Sequence, residues 1–249
     1  MAHATVLLAG SPIRTNLGIL GFSAVTLVES EGLRILVDVG HYGRRERLLA
    51  ALAAHRIDPV AVDHVVLTHL HWDHALNLDL LPEAEIHVGA AEIDRAEAPP
   101  ANDPHTIRGA AAWLRARRTH PISAPTTVLA EGVELVLTPG HSPGHLAVVV
   151  HEPAGRLLVA GDAVPTRRAW LRGRPDHVYD DASLAEASVA RLQALEPTRV
   201  VPGHDAPFRV RPDGTEHEPA EEVEFVFRED RERDFRWRGG EVPARETYD

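Results

Sequence analysis

Four side chains able to hold a divalent cation, His69, His71, Asp73 and His74, fall within six consecutive residues of the string Thr-His-Leu-His-Trp-Asp-His. The apolar run Val65-Val66-Leu67 precedes them and reads as a strand. A buried strand that presents imidazoles and a carboxylate at its C-terminal edge asks for a cation such as zinc, manganese or iron. His69 and His71 lie two apart and share a face while the chain is extended, and a turn after Trp72 redirects Asp73 and His74. Two neighbouring cations are therefore within reach of this one segment. With 16 histidines in 249 residues, chance proximity competes with this reading, and a lone surface His-x-His would mean little.

Further metal-capable side chains recur in the same setting. The stretch Val133 to His145 alternates as a strand, then presents His141 and His145 from Pro-Gly and Gly turns. Arg156-Leu-Leu-Val-Ala-Gly-Asp162 is a strand of the buried type that ends on a carboxylate, and Arg199-Val-Val-Pro-Gly-His204 ends on a histidine. Four strand ends that each finish on a potential ligand point to one site.

As an ordered set, these motifs resemble the metallo-β-lactamase-fold superfamily of metallohydrolases, from Asp38 in Ile-Leu-Val-Asp-Val-Gly through His69, His71, Asp73 and His74 to His145, Asp162 and His204. The resemblance implies a four-layer αββα sandwich of the α/β class. It implies two divalent cations, zinc first with iron or manganese as alternatives. His69, His71 and His145 would hold one, Asp73, His74 and His204 the other, and Asp162 would bridge them. Asp38 and His141 would support the ligands from behind. The implied nucleophile is a hydroxide shared by the cations, oriented by the catalytic Asp73.

Several chemistries share this centre, so the substrate must be read from the surrounding loops. The nearest branch is the N-acyl-homoserine lactonases, which implies a small lactone or carboxylic ester as the partner molecule. Those enzymes usually carry a tyrosine three residues after the bridging aspartate, where this chain has Pro165. Tyr179, Arg168, Trp72 and Trp170 are the candidates for contacting substrate, with Trp170 expected in an exposed loop. The alternatives are a thioesterase of the hydroxyacylglutathione hydrolase type, a phosphodiesterase or ribonuclease, and a mononuclear iron oxygenase. A segment at 200–210 resembles short animal proteins of this superfamily associated with RNA processing. The balance of 26 basic against 37 acidic residues, a net charge of −11, opposes nucleic acid or an anionic membrane as partner. His3, His55, His64, His87, His105, His120, His151, His177 and His217 match no motif and are expected on helix surfaces or in loops, with His41 and His177 placed to overlook the site.

The elements that must position these groups are legible in outline. Paired strands are predicted over 25–29 and 34–39, a helix over 44–56, a strand over 84–88 and a helix over 90–97. The Pro-rich segment 98–104 is a lid candidate before a second helical stretch around 107–117. A helix over 183–195 is predicted to bury Leu184, Ala187, Val189 and Leu192. One catalytic domain over 1–215 is expected, and a charged extension over 216–249 offers an edge strand or a tail that docks on the domain or on a second subunit of a homodimer. The chain has no cysteine, so any metal ligands are nitrogen and oxygen. No targeting segment or membrane span is read, which leaves a cytoplasmic location as the expectation.

Overall fold

The computed structural model describes residues 1–15, 18–219, 224–229 and 233–238. The chain opens with strand β1 (His3–Leu8) and a small hairpin of β2 (Arg14–Thr15) and β3 (Gly18–Ile19), then β4 (Val25–Ser30) and β5 (Leu33–Val37). Helix α1 (Arg45–Ala54) leads to β6 (His64–Val66), the single turn α2 (Trp72–Ala75) and β7 (Glu85–Gly89). Helices α3 (Ala90–Glu97) and α4 (Ala110–Arg115) precede β8 (Thr119–Ile122). The second half runs β9 (Thr126–Ala130), β10 (Val133–Leu137), β11 (Leu146–Glu152) and β12 (Gly155–Gly161), then α5 (Arg167–Arg172), α6 (Ala182–Ala194), β13 (Arg199–Pro202), β14 (Phe208–Arg211) and β15 (Gly214–His217).

These strands form two mixed sheets, ordered β1-β4-β5-β6-β7-β8 and β15-β14-β13-β12-β11-β10-β9. Their Val-rich and Leu-rich runs are buried on both faces, so each sheet must be covered twice. One apolar cluster packs Leu27, Leu36, Val65 and Ile86 of the first sheet against Leu48 and Leu52 of α1 and Leu114 of α4. Another joins Ile35, Val37 and Val66 to Leu135, Val148, Leu157 and Val201 between the sheets. The last packs Val149, Leu158 and Phe208 beneath Trp170 of α5 and Val189 and Leu192 of α6. Helix, sheet, sheet, helix is the four-layer αββα sandwich. Parallel pairing of β5, β6, β7 and β8 in one sheet, and of β12 with β13 in the other, brings the C-terminal ends of these strands out along one edge.

Three sequence expectations need correction here. Helix α6 buries Ala185, Ser188, Val189 and Leu192, whereas Leu184 is 45% exposed and Ala187 is exposed. The core takes the stripe that carries Val189 and Leu192, which leaves Leu184 and Ala187 toward solvent, while the N-cap Asp181 accepts from the Ser183 and Leu184 N–H groups. Trp170 is not in an exposed loop but 6% exposed on α5, 6.0 Å from the Phe208 ring, where it fills the core. Six of the nine unassigned histidines, His3, His64, His87, His120, His151 and His217, lie on strands, because alternation lets a strand show one face to solvent.

The first compact unit spans Met1–Glu218 and the second Pro219–Asp249. The first extends past residue 215 because β15 pairs with β14 and the Glu218 carboxylate takes Arg199 Nε and Nη2 at 2.8 and 2.7 Å. In the second unit, β16 (Glu224–Glu229) and β17 (Arg233–Arg238) pair antiparallel with each other. The expectation for 216–249 falls partly on residues 220–223, 230–232 and 239–249, which lie outside the described residues. Among the described residues no helix is long and apolar enough to cross a membrane.

Candidate metal centre

The Asp38 backbone is the anchor of the site. It sits just past β5 with φ +57°, a left-handed conformation that costs energy for a non-glycine residue and persists only when its surroundings enforce it. The enforcement is visible. Asp38 Oδ1 accepts the Thr68 N–H at 2.8 Å, and Oδ2 accepts the Thr68 hydroxyl at 2.8 Å and His74 Nδ1 at 2.7 Å. One carboxylate thus ties the end of β5 to the histidine segment after β6 and leaves His74 Nε2 facing inward.

His69 and His71 follow on the extended stretch before α2, and α2 then turns Asp73 and His74 toward the same space. His74 Nε2 lies 3.4 Å from His204 Nε2 and 3.5 Å from Asp162 Oδ1. His204 Nε2 lies 3.4 Å from Asp73 Oδ2 and 3.3 Å from Asp162 Oδ2. Asp162 Oδ2 is also 3.5 Å from His141 Nε2, which is 3.2 Å from His71 Nδ1. The donor atoms gather into three overlapping groups: His69, His71 and His141; His69, His74 and Asp162; Asp73, His74 and His204. Asp162 stands between the two halves, and Gly203 is needed beside it because a Cβ there would run into Asp162 Oδ1.

In this structure the third motif brings His141, rather than His145, into the converging donor atoms. His145 was expected among the converging ligands and His141 behind them, but the structure places His141 in the cluster and His145 behind it. His145 Nε2 accepts the backbone N–H groups of Asp162 and Ala163 at 3.0 and 3.3 Å, and its Nδ1 meets the Thr138 hydroxyl at 2.8 Å. A backbone N–H can only donate, so in this arrangement the Nε2 lone pair faces those two N–H groups. His141 Nδ1 instead donates to the His177 carbonyl at 3.0 Å, which leaves its Nε2 as the lone pair facing the cluster. His71 is held the opposite way round: its Nε2 faces Asp103 Oδ1 at 3.2 Å, so Nδ1 turns inward. Each outer partner selects the tautomer and the ring nitrogen that can bind a cation.

The electrostatics fit a cation. Burial holds His69 and His145 well below the ordinary imidazole range and pushes His141 down to about 4, despite Asp162 in the last case. Burial raises Asp162, but the imidazoles of His204 and His74 outweigh it and hold the carboxyl well below the usual range. His74 is the reverse: burial lowers it, yet Asp38, Asp162 and Asp73 together raise it to about 10. Neutral imidazoles and an ionised bridge are the forms that bind metal, and the converging acids favour positive charge at their centre. Two buried donor atoms that face the cluster, His69 Nε2 and Asp162 Oδ1, have no hydrogen-bond partner, and His71 Nε2 has only the ionic approach of Asp103 at 3.2 Å. Leaving both unmade is costly in a protein interior, and a divalent cation coordinated by nitrogen and oxygen satisfies both.

Sequence reasoning missed three supporting residues. The Glu92 side chain on α3 is fully buried, with Oε2 accepting the Leu70 N–H at 3.1 Å and Oε1 the Gly144 N–H at 2.8 Å. It straps the loop between His69 and His71 to the loop between His141 and His145. Asp103 lies behind His71, and His105, expected to be an ordinary histidine, accepts Trp72 Nε1 at Nδ1 over 3.3 Å. No local pattern marks them, because each partner is distant in sequence; the Pro-rich break at 98–104 was the one available signal.

A cavity of about 550 Å³ opens onto the cluster. His71, Asp73, His141, Asp162 and His204 reach it from the floor; Pro12, Ile13, Ile19 and Trp72 supply apolar lining; Arg168, His177 and Tyr179 supply polar lining. The Tyr179 ring sits edge-on to His71 and His141, at 5.2 and 5.4 Å. Pro165 also lines the cavity and Trp170 does not. His41 packs edge-on against Trp72 at 5.0 Å.

Residues 18–204 match the family model of the metallo-beta-lactamase superfamily. This chain belongs to that superfamily. It is 30% identical over 193 residues to the metallo-beta-lactamase domain-containing protein 1 of Xenopus laevis, covering 75% of this chain and 72% of that protein. It is 29% identical over 173 residues to the probable metallo-hydrolase YflN of Bacillus subtilis, covering 58% of this chain and 64% of that one. The chain thus spans about two thirds of these relatives. Among solved structures it is similar to a quorum-quenching N-acyl homoserine lactone hydrolase, with TM-score 0.63, 25% identity and coverage of 74% of this chain and 80% of that one.

Proposed function

We propose that this superfamily member is a dinuclear metal-dependent hydrolase that opens a small lactone or carboxylic ester. The reading is carried by one observation: three overlapping His/Asp groups, of which the one that links the other two holds Asp162, gather at the floor of a cavity that has apolar lining. In this reading His69, His71 and His141 hold one divalent cation, zinc by the nature of the donors, Asp73, His74 and His204 hold the other, and Asp162 belongs to both. When bound, such a pair lowers the pKa of a shared water and polarises a carbonyl oxygen.

The protein's own groups do the rest. Asp73, 8% exposed and facing the cavity, orients the attacking water and hands a proton to the leaving alkoxide. Pro12, Ile13, Ile19 and Trp72 take the apolar part of the substrate and exclude water from that side. Tyr179 and Arg168 sit where they meet polar substrate atoms, in the role that a tyrosine at the Pro165 position would otherwise fill. The lactone assignment is supported by the similarity to N-acyl homoserine lactonases, one of them a Bacillus protein 27% identical over 164 residues.

The test is a turnover panel of acyl-homoserine lactones, aryl esters, a glutathione thioester and a bis-aryl phosphodiester, with and without chelator. Lactone or ester turnover that chelator abolishes, with Asp73→Asn lowering kcat by about 10²–10⁴-fold while the fold is retained, is the expected outcome. Near-normal turnover by metal-loaded Asp73→Asn would overturn the role of Asp73. Hydrolysis confined to the phosphodiester would overturn the substrate class.

A further inference from the structure

Arg95 does not line the cavity, yet its side chain is only 10% exposed and reaches two separate loops. From the last turn of α3, Nε donates to Asp103 Oδ2 at 2.9 Å, Nη2 donates to the Tyr179 carbonyl at 2.6 Å, and Nη1 approaches Asp180 Oδ1 at 3.4 Å. We propose that Arg95 is a positioning residue whose single guanidinium braces both walls of the pocket and, through them, His71 and His141. The proposal rests on the reading of those two imidazoles as metal-holding.

Each loop contacts one of the two histidines. On the lid side, Asp103 is 1% exposed, and its Oδ1 accepts the His105 and Thr106 N–H groups at 3.2 Å while Oδ2 takes the Thr106 hydroxyl at 2.7 Å. The same Oδ1 faces His71 Nε2. On the other side, the Tyr179 N–H donates to the His141 carbonyl at 3.0 Å, and the His177 carbonyl accepts His141 Nδ1. Arg95 is thus a shared partner of the lid carboxylate and the Tyr179 segment, and the Tyr179 ring between them touches both histidines edge-on.

The chemistry requires arginine. A planar fork donates in several fixed directions at once and keeps its charge when buried, whereas a lysine ammonium is a point charge on a flexible stem. Charge-assisted bonds to Asp103 and to the Tyr179 carbonyl are of the strong kind.

Amide hydrogen exchange on the full chain, freed of metal, tests the brace independently of what the centre binds. Arg95→Met keeps the stem and removes the fork; Arg95→Lys keeps the charge. Both the Thr106 and Tyr179 amides are expected to exchange about tenfold faster or more in Arg95→Met, while β11 amides are unchanged. In Arg95→Lys at least one of the two remains loosened. In parallel, chelator competition with zinc is expected to show one of the two cations bound about 10–100-fold more weakly in Arg95→Met. Wild-type exchange at Tyr179 in Arg95→Met, or wild-type behaviour of both segments in Arg95→Lys, overturns the proposal. Should Arg95→Met fail to fold, Arg95→Lys decides by the same criterion. If the wild-type protein takes up no zinc, the metal reading fails while the exchange result still decides the brace.

Discussion

His141 and His145 stand four residues apart in one turn, and the nitrogen atoms of their rings meet different partners. His145 Nε2 accepts the backbone N–H groups of Asp162 and Ala163, so it holds the Asp162 backbone from behind. His141 Nε2 faces Asp162 and His71. Replacing His141 by alanine is therefore expected to remove about one equivalent of metal at modest cost to the fold. His145→Ala leaves two backbone donors unsatisfied and is expected to destabilise the protein by about 1–3 kcal/mol per lost acceptor group. Metal analysis beside a denaturant melt separates the two outcomes, and equal metal content in the two variants would contradict the assignment. The first, second, fourth and fifth motifs stand out in the sequence because each lies at or shortly after the end of a strand-like run. The third could not: both of its histidines follow glycine in the same turn, and only the folded hydrogen bonds decide which ring faces the cluster. Glu92, Arg95 and Asp103 were beyond reach for a related reason, since what they do depends on backbone groups brought from other segments.

At the scale of elements, the strands that precede the metal-capable residues and helices α1, α3, α4 and α6 followed from hydrophobic pattern and punctuation, whereas β1, β8, β9, β11, β14, β15 and α5 were not read. Helix α3 ends at Glu97, before the Pro-rich segment 98–104, and β12 ends at Gly161, directly before Asp162. Cross-strand neighbours were not legible, and they create a second histidine group at the other end of the first sheet. His87 Nε2 meets His64 Nδ1 at 3.2 Å, and the His87 ring stacks on His120 at 4.8 Å. Burial first, then His64 and His120, pushes His87 down to about 4, against Glu85. The unfolded chain takes up this proton near pH 6.5, whereas the folded chain resists it down to about 4. Below pH 6.5 the unfolded state therefore binds more protons, and stability falls as pH drops from 6.5 toward 4, by on the order of 3 kcal/mol from this group. His87→Gln cannot take the proton, and its stability curve, measured by denaturant melts across that range, is expected to slope less than the wild type. An identical slope would show that His87 carries no such penalty.

The whole molecule places its donors on both sheets. His69, His71, Asp73 and His74 follow β6 of the first, while His141, Asp162 and His204 follow β10, β12 and β13 of the second. A centre built this way lies along the edge where both sheets end, and all seven residues belong to the unit Met1–Glu218. The αββα layering was readable as a class from the family resemblance. The account is tested most directly by anomalous diffraction from crystals of the full chain purified without chelator. Two peaks roughly 3.5–4 Å apart are predicted, one within about 2.0–2.2 Å of His69, His71 and His141 nitrogens, with Asp162 reaching both. A single peak, or one coordinated by His145 in place of His141, would contradict it.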